Sequence, residues 1–250
     1  MTRLHNKYPQ PRLKPLARIK DIINRNPAGG NRWLKALALH YLTSSGLRDV
    51  PAELKAHLFN HDFLLQETAA RGIYQIDPET FYQQIRLLKP ADRRRLSQLV
   101  DNKNSAMPQF MSTIDKVKFL KGIEFFQLIP EITLVELAFA IVPVLLKASR
   151  TVIKTGDTVN MIYLVVSGEI QVQFDSEPML AVHAGDWVGD LKILTESNYS
   201  FSAVALCDTM LFSMKQEQFL SFSGNFMLSG DENLFSPVWH RQAKGVSCKV

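Results

Sequence analysis

One stretch, Thr151–Met214, restricts what this chain can fold into more than any other. It opens T-V-I-K-T-G-D-T-V-N-M-I-Y-L-V-V-S-G-E-I-Q-V-Q-F, continues through H-A-G-D-W-V-G-D-L-K-I-L and closes on F-S-A-V-A-L-C-D-T-M-L-F-S-M. Short apolar runs alternate with Gly-Asp and Ser-Gly punctuation, the pattern of many short strands joined by tight turns. Strands are expected at Val152-Ile153, Met161–Val166, Glu169–Phe174, Met179–Val182, Ala203–Leu206 and Met210–Met214. Along residues 169–174, Glu169, Gln171 and Gln173 share one face while Ile170, Val172 and Phe174 share the other, so this strand has a wet side and a core side. Met161–Val166 is apolar on both faces and is expected to be a central strand. Short strands left as an open set would expose their edges, so a closed jelly roll or small barrel is the expected architecture.

The order of this punctuation resembles the cyclic-nucleotide-binding domain family. Gly156-Asp157 comes first, then Tyr163, Leu164, Val165, Ser167 and Gly168 as Y-L-V-x-S-G, then Gly185-Asp186 and finally Gly189-Asp190-Leu191 in place of G-E-L. Phe119–Phe126 is similar to the family's F-L-x-x-x-x-F-F lead-in helix, and the resemblance extends over residues 113–222. It implies an α+β multidomain chain in which an antiparallel β jelly-roll barrel with flanking helices follows an N-terminal helical segment.

At 250 residues and with 46% hydrophobic against 21% charged residues, the chain has the composition of a globular protein of one or two domains. Cys207 and Cys248 are too few for a disulfide framework, and a reducing, cytoplasmic setting is the default. The longest apolar run, Leu134–Leu146, contains Pro143 and falls short of the ~18–20 residues of a membrane span. The net charge of +5 is uneven: Met1–Ile141 holds 21 Lys/Arg against 13 Asp/Glu, Val142–Val250 only 8 against 11.

Four segments are expected: 1–30, a basic tail or linker; 31–105, a helical segment; 106–222, the strand domain; and 223–250, a C-terminal tail. The first carries Arg3, Lys7, Arg12, Lys14, Arg18, Lys20 and Arg25, is broken by Pro9, Pro11, Pro15 and Pro27, and has room for two helical turns at Leu16–Ile23. It reads as a flexible tail, as an arm for an anionic surface, or as an organelle-targeting segment. Helices are expected from the starting signals Asn31, Pro51, Asp62 and Asp77, and over Lys89–Val100 with Pro90 in its first turn. A 31-residue shift lays Leu34–Leu39 over Leu65–Ala70, with Ala38, Ala69 and Ala70 as a small-residue stripe. This looks like two degenerate HEAT-type repeats, with an unrelated small helical bundle as the alternative. Gln109–Gln127 is expected as one longer helix, followed by a second from Pro130 that ends before Pro143. Ser223-Gly224, Ser229-Gly230 and Pro237 break any long C-terminal helix.

In nucleotide-binding relatives the resemblance implies a short helix after G-E-L that offers N–H groups to the cyclic phosphate, an acid for the ribose and an arginine for the phosphate charge. Laid on this chain, the pocket residues are Gly189, Asp190, Leu191, Lys192, Tyr199, Ser200 and Ser202. Asp190 keeps the acid one methylene shorter, and Tyr199 stands where the family has arginine. Lys192 is the nearby cation, either a substitute or a solvent-facing side chain. Tyr199 either fills the pocket or lies on a surface loop. Without the guanidinium, a non-catalytic regulatory or protein-interaction module that binds neither cAMP nor cGMP is the expected function. A protein partner and a larger assembly are implied, with no cofactor. Two alternatives are a pocket for another small, nucleotide-like molecule and contact with an anionic surface or nucleic acid through the N-terminal arm. No catalytic set or metal site is expected: His5, His40, His61, His183 and His240 are scattered, and no G-x-S-x-G, phosphate loop or dinucleotide fingerprint occurs.

Overall fold

The computed structural model describes residues 14–24, 31–101, 111–174, 179–188 and 197–227. The chain divides into two compact units, Met1–Asp101 and Asn102–Val250. The expected boundary at 105/106 lies outside the described residues. The tail expected over 223–250 begins later than its sequence suggests: the last described helix continues through Ser223-Gly224 to Met227, because one glycine weakens a helix without ending it, and the residues beyond lie outside the described ones.

The first unit is helical: α1 (Pro15–Asn24), α2 (Arg32–Ser44), α3 (Ala52–Leu58), α4 (Phe63–Ile76), α5 (Pro78–Ile85) and α6 (Pro90–Asp101). Its starts are chemically marked. Asn31 accepts from the amides of Trp33 and Leu34 at 3.0 and 3.3 Å, Asp62 from Leu64 at 2.9 Å, and Asp77 from Glu79 at 3.0 Å. Each side chain supplies an acceptor to a first-turn N–H that has no partner within its helix. Gly46, at φ +71°, lets the chain leave α2 through the left-handed region.

Helix α4 is the axis of this unit. Leu64–Ala70, Gly72 and Ile73 are all buried, and α2, α3, α5 and α6 pack around them. The two helices that the 31-residue shift equates, α2 and α4, pack directly on one another, with Ala38, Ala69 and Ala70 buried. At Gly72 a side chain would run into Thr43 of α2 and Leu54 of α3, so a bare backbone permits this approach. Part of the expected basic tail belongs to this unit: α1 packs on α2 and α3, Ile23 is 1% exposed, and Lys20 pairs with Glu53 at 2.9 Å.

The adjacent arginines of α6 have different work. Arg93 donates to the carbonyls of Ile85, Arg86 and Leu88 at 3.2, 2.7 and 3.2 Å and so closes the C-terminus of α5. Arg95 reaches Gln66 Oε1 at 3.0 Å and lies 3.7 Å over the Phe63 ring. Arg94 is exposed.

The second unit opens with α7 (Thr113–Lys121), a 3-10 turn (Glu124–Phe126) and α8 (Glu131–Ala140). The single helix expected over 109–127 is therefore interrupted. Gly122 bonds back to the Lys118 and Phe119 carbonyls and Ile123 turns extended, which swings Phe125 and Phe126 into the core. Lys116 donates to the Ala138 and Ile141 carbonyls at 3.0 and 2.7 Å, fastening the end of α8 to α7.

Seven strands follow among the described residues: β1 (Val142–Leu146), β2 (Thr151–Ile153), β3 (Met161–Ser167), β4 (Glu169–Phe174), β5 (Leu180–His183), β6 (Phe201–Ala205) and β7 (Thr209–Lys215). Helix α9 (Gln216–Met227) comes after them. They form two antiparallel sheets, ordered β1-β7-β3 and β2-β6-β4-β5, the arrangement of a jelly roll. Strand β4 alternates as expected, with Ile170 and Val172 buried at 0% and 1%.

Two expectations need correction. Strand β1 was hidden in the apolar run that also supplies α8; Pro143 is tolerated because β1 is a sheet edge and pairs only with β7. The central strand is β7, not β3. Strand β3 is still flanked on both sides, because residues 185–188 bond along its outer edge: Gly185 N to Val165 O, Val165 N to Asp186 O and Val188 N to Tyr163 O, each at 2.9 Å. No helix among the described residues is long and apolar enough to cross a membrane.

Gly168 sits at φ +89°, and a Cβ there would collide with the backbone of Asp208 and Thr209. Gly168→Ala is expected to lose about 2–5 kcal/mol, from left-handed strain plus overpacking. Gly156→Ala, at the same φ but facing open space, should lose only about 1–2 kcal/mol. Equilibrium urea unfolding separates the two. In the helical unit, Arg93→Met should cost about 1–3 kcal/mol, since it uncovers three carbonyls at the end of α5; thermal unfolding by circular dichroism reads it.

Candidate functional site

The site is built on a backbone clamp. Residues 197–199 run antiparallel to the turn after β2: Gly156 N donates to Tyr199 O at 2.8 Å, Tyr199 N to Asp157 O and Val159 N to Ser197 O, both at 2.9 Å. Gly156 takes φ +89°, and this positive φ is why the turn carries Gly-Asp. The second Gly-Asp, Gly185-Asp186, does the same service on the other sheet. Gly185 has φ +95°, and the Asp186 carboxylate accepts from His183 N at 3.2 Å.

From this clamp the chain enters β6 with strict alternation. Tyr199, Phe201, Ala203 and Ala205 are buried at 5%, 0%, 0% and 1%, whereas Ser200 is exposed and Ser202 half-buried. The Tyr199 ring meets Phe201 edge-on at 5.6 Å, and Phe201 packs against Phe174 of β4 at 5.3 Å. These three rings form a continuous apolar row. The Tyr199 hydroxyl donates to the Met161 carbonyl at 2.6 Å, at the first residue of β3. Burial, with Tyr163 close by, pushes the Tyr199 phenol up to about 12. Burial also raises Tyr163. At neutral pH the Tyr199 side chain is therefore uncharged, and its proton is committed to a backbone oxygen.

Of the two readings of Tyr199, the surface loop is excluded: the side chain is an inward anchor. Ser200 and Ser202 lie on the opposite face of the strand from Tyr199 and Phe201. Gly189, Asp190, Leu191 and Lys192 lie outside the described residues. Sequence reasoning placed Phe174 on a core face but passed over Phe201, the ring that joins it to Tyr199. The signal was present as the period-two pattern Tyr199, Phe201, Ala203, Ala205. It also passed over His57, whose ring nitrogen lies 3.0 Å from the Glu53 carbonyl inside α3 and whose pKa is lowered by burial. No group of three or more His, Cys, Asp or Glu placed to hold a metal occurs among the described residues, and Cys207 is an exposed free thiol.

Residues 143–225 match the family model of the cyclic nucleotide-binding domain. This cyclic-nucleotide-type domain covers about one third of the chain. Similar solved structures include the regulatory domain of Toxoplasma gondii PKA with cAMP, at 17% identity over 47% of this chain and 48% of that one, TM-score 0.43. The regulatory subunit of a cAMP-independent protein kinase A from Trypanosoma cruzi, bound to guanosine, is similar at 18% identity over 45% and 41%, TM-score 0.41. A cyclic nucleotide-binding-like protein from Brucella abortus aligns at 22% identity over 44% of this chain and 98% of its own, TM-score 0.36. The chain spans less than half the length of the first two. No curated protein matches in sequence.

Two Gly-Asp turns, the Ser-Gly corner and the Phe-rich lead-in all have structural occupations here. Phe119 packs edge-on against Phe212 at 5.4 Å and Phe126 against Trp187 at 6.1 Å. Tyr199→Phe is expected to cost about 1–3 kcal/mol by leaving the Met161 carbonyl without its donor. The pH dependence has a fixed sign. The folded phenol titrates near 12 against 10.0 in the unfolded chain, so the unfolded state loses its proton first and stability falls between those values. Urea midpoints measured upward from pH 9 should show this component in the native chain and its loss in Tyr199→Phe.

Proposed function

We propose that the chain is a non-catalytic regulatory or protein-interaction module whose cyclic-nucleotide-type domain binds neither cAMP nor cGMP. The observation that carries this reading is Tyr199. It stands where the family resemblance puts the phosphate-pairing arginine, yet it is 5% exposed, neutral, and bonded to Met161. A cyclic phosphate is a monoanion. Moved out of water without a cationic partner, it keeps its desolvation cost and loses its strongest charge-assisted bonds, about 2–5 kcal/mol. That deficit corresponds to roughly a 30- to several-thousand-fold loss of affinity.

The helical unit supports the second half of the proposal. We read α2–α5 as two degenerate HEAT-like repeats, since the helices related by the 31-residue shift pack on each other and the small residues Ala38, Ala69 and Ala70 are buried. Two such repeats form a short array, and arrays of this kind present surfaces to other proteins. A role in a larger assembly follows, with the partner a protein.

Isothermal titration of the whole chain with cAMP and with cGMP is the test. No saturable heat is expected at low micromolar ligand. A dissociation constant below ~10 μM for either nucleotide would sink the proposal.

A further inference from the structure

The two units differ in charge. Met1–Asp101 carries 17 Lys/Arg and 9 Asp/Glu, a net +8, whereas the rest of the chain carries 12 against 15, a net −3. Among the described residues of the basic unit, the most exposed large apolar side chain stands beside cations in the turn between α5 and α6, Arg86-Leu87-Leu88-Lys89. Leu88 points inward at 9% exposure, and Leu87 stands out at 72%. Arg86 and Lys89 flank it, and Arg94 lies one helical turn into α6; all three are exposed. None of them makes a side-chain hydrogen bond or ion pair to a described residue.

The negative groups at this turn are each partnered by an arginine. The last carbonyls of a helix present partial negative charge and would repel an anion. Here Arg93 covers those of Ile85, Arg86 and Leu88 with its guanidinium. The acid in the first turn of α6, Asp92, is held by Arg95 at 3.1 Å. What remains outward is a leucine among three cations. Among the described residues one other leucine is exposed to this degree. Leu128, at 77%, has one cation beside it, Lys121, which donates to the carbonyls of Gln127 and Ile129 and pairs with Glu131 at 3.5 Å, so no outward cluster of cations surrounds it.

We propose that the α5–α6 turn is a docking tip for an anionic phospholipid surface: Leu87 enters the headgroup layer while Arg86, Lys89 and Arg94 engage the anionic groups. The leucine chooses among anionic partners. Nucleic acid offers phosphates and base faces but no hydrocarbon for an aliphatic tip, whereas a bilayer places hydrocarbon directly beneath its anionic layer. The contact is weak and reversible, because one small apolar tip with a few cations falls short of a stable anchor.

Co-sedimentation of the full chain with sonicated vesicles tests this. Binding is expected to vesicles of phosphatidylcholine with ~30% phosphatidylserine, and not to phosphatidylcholine alone, at an ionic strength near 0.05 M; it should disappear near 0.5 M. The pair Arg86→Gln/Lys89→Gln should lower the partition coefficient about tenfold or more, and Leu87→Ser about five- to tenfold. Leu128→Ser and the charge-matched control Arg48→Gln/Lys55→Gln should change it less than about twofold. Circular dichroism melts confirm that each variant is folded. The proposal is overturned if the native chain ignores the anionic vesicles. It is equally overturned if binding survives Arg86→Gln/Lys89→Gln, or if the control pair weakens binding as much. Tighter binding to heparin or a short RNA, indifferent to Leu87→Ser, also overturns it and assigns the patch to a polyanion.

Discussion

A single neutral hydrogen bond organises the strand domain where a charged contact is the family expectation. The Tyr199 hydroxyl reaches the Met161 carbonyl at 2.6 Å and joins the segment leading into β6 to the start of β3, which lies in the other sheet. The backbone around it is paired in both directions, Gly156 to Tyr199 and Tyr199 to Asp157. Once these bonds are made, the ring has one place to go, inward against Phe201 and so toward Phe174. A guanidinium in the same position would be a charge in an apolar row. Burying it would cost several kcal/mol unless an anion came with it. The neutral phenol carries no charge into this row and satisfies its own hydroxyl on the Met161 carbonyl.

The same economy governs the other motifs. Gly168 allows the backbone of Asp208 and Thr209 to approach, and the Thr209 hydroxyl donates to the Cys207 carbonyl at 2.9 Å while accepting from Glu169 N at 3.2 Å. The turn glycines are needed for positive φ, and their aspartates or following amides bond to neighbouring strands. Each of these family motifs thus has a folding role in this domain. In the helical unit the corresponding constraint is α4, which is buried on every side and draws its polar partners from its neighbours. Gln66 donates to the Leu58 carbonyl at 3.1 Å and accepts from Arg95 at 3.0 Å.

Local chemistry was legible in the sequence wherever one residue decides one feature. Asn31, Asp62 and Asp77 cap the helices they precede, because a short polar side chain meets a bare N–H within two residues of itself. The alternation of 169–174 fell on the expected faces for a similar reason: the strand period is two whatever the surroundings. Legibility failed where two structures share one composition. In the apolar run 134–146 the end of α8 before Pro143 was legible, but the residues after it gave no strand signal, and only pairing with β7 makes them β1. Strand β3 reads as central from its two apolar faces. Its outer edge is instead covered by the loop at 185–188, an arrangement that local periodicity cannot encode.

What the sequence determined by itself was therefore the list of parts: helices from their caps, strands from their period, turns from glycine, and the absence of arginine at position 199. These follow from interactions a few residues long. The tertiary structure alone decided that Tyr199 turns inward, that its hydroxyl is spent on a carbonyl 38 positions away, and that Arg93 and Arg95 are bound while Arg94 is exposed. Those outcomes depend on which distant backbone groups and rings arrive at the same place. A buried donor must find an acceptor, and only the folded chain specifies which one.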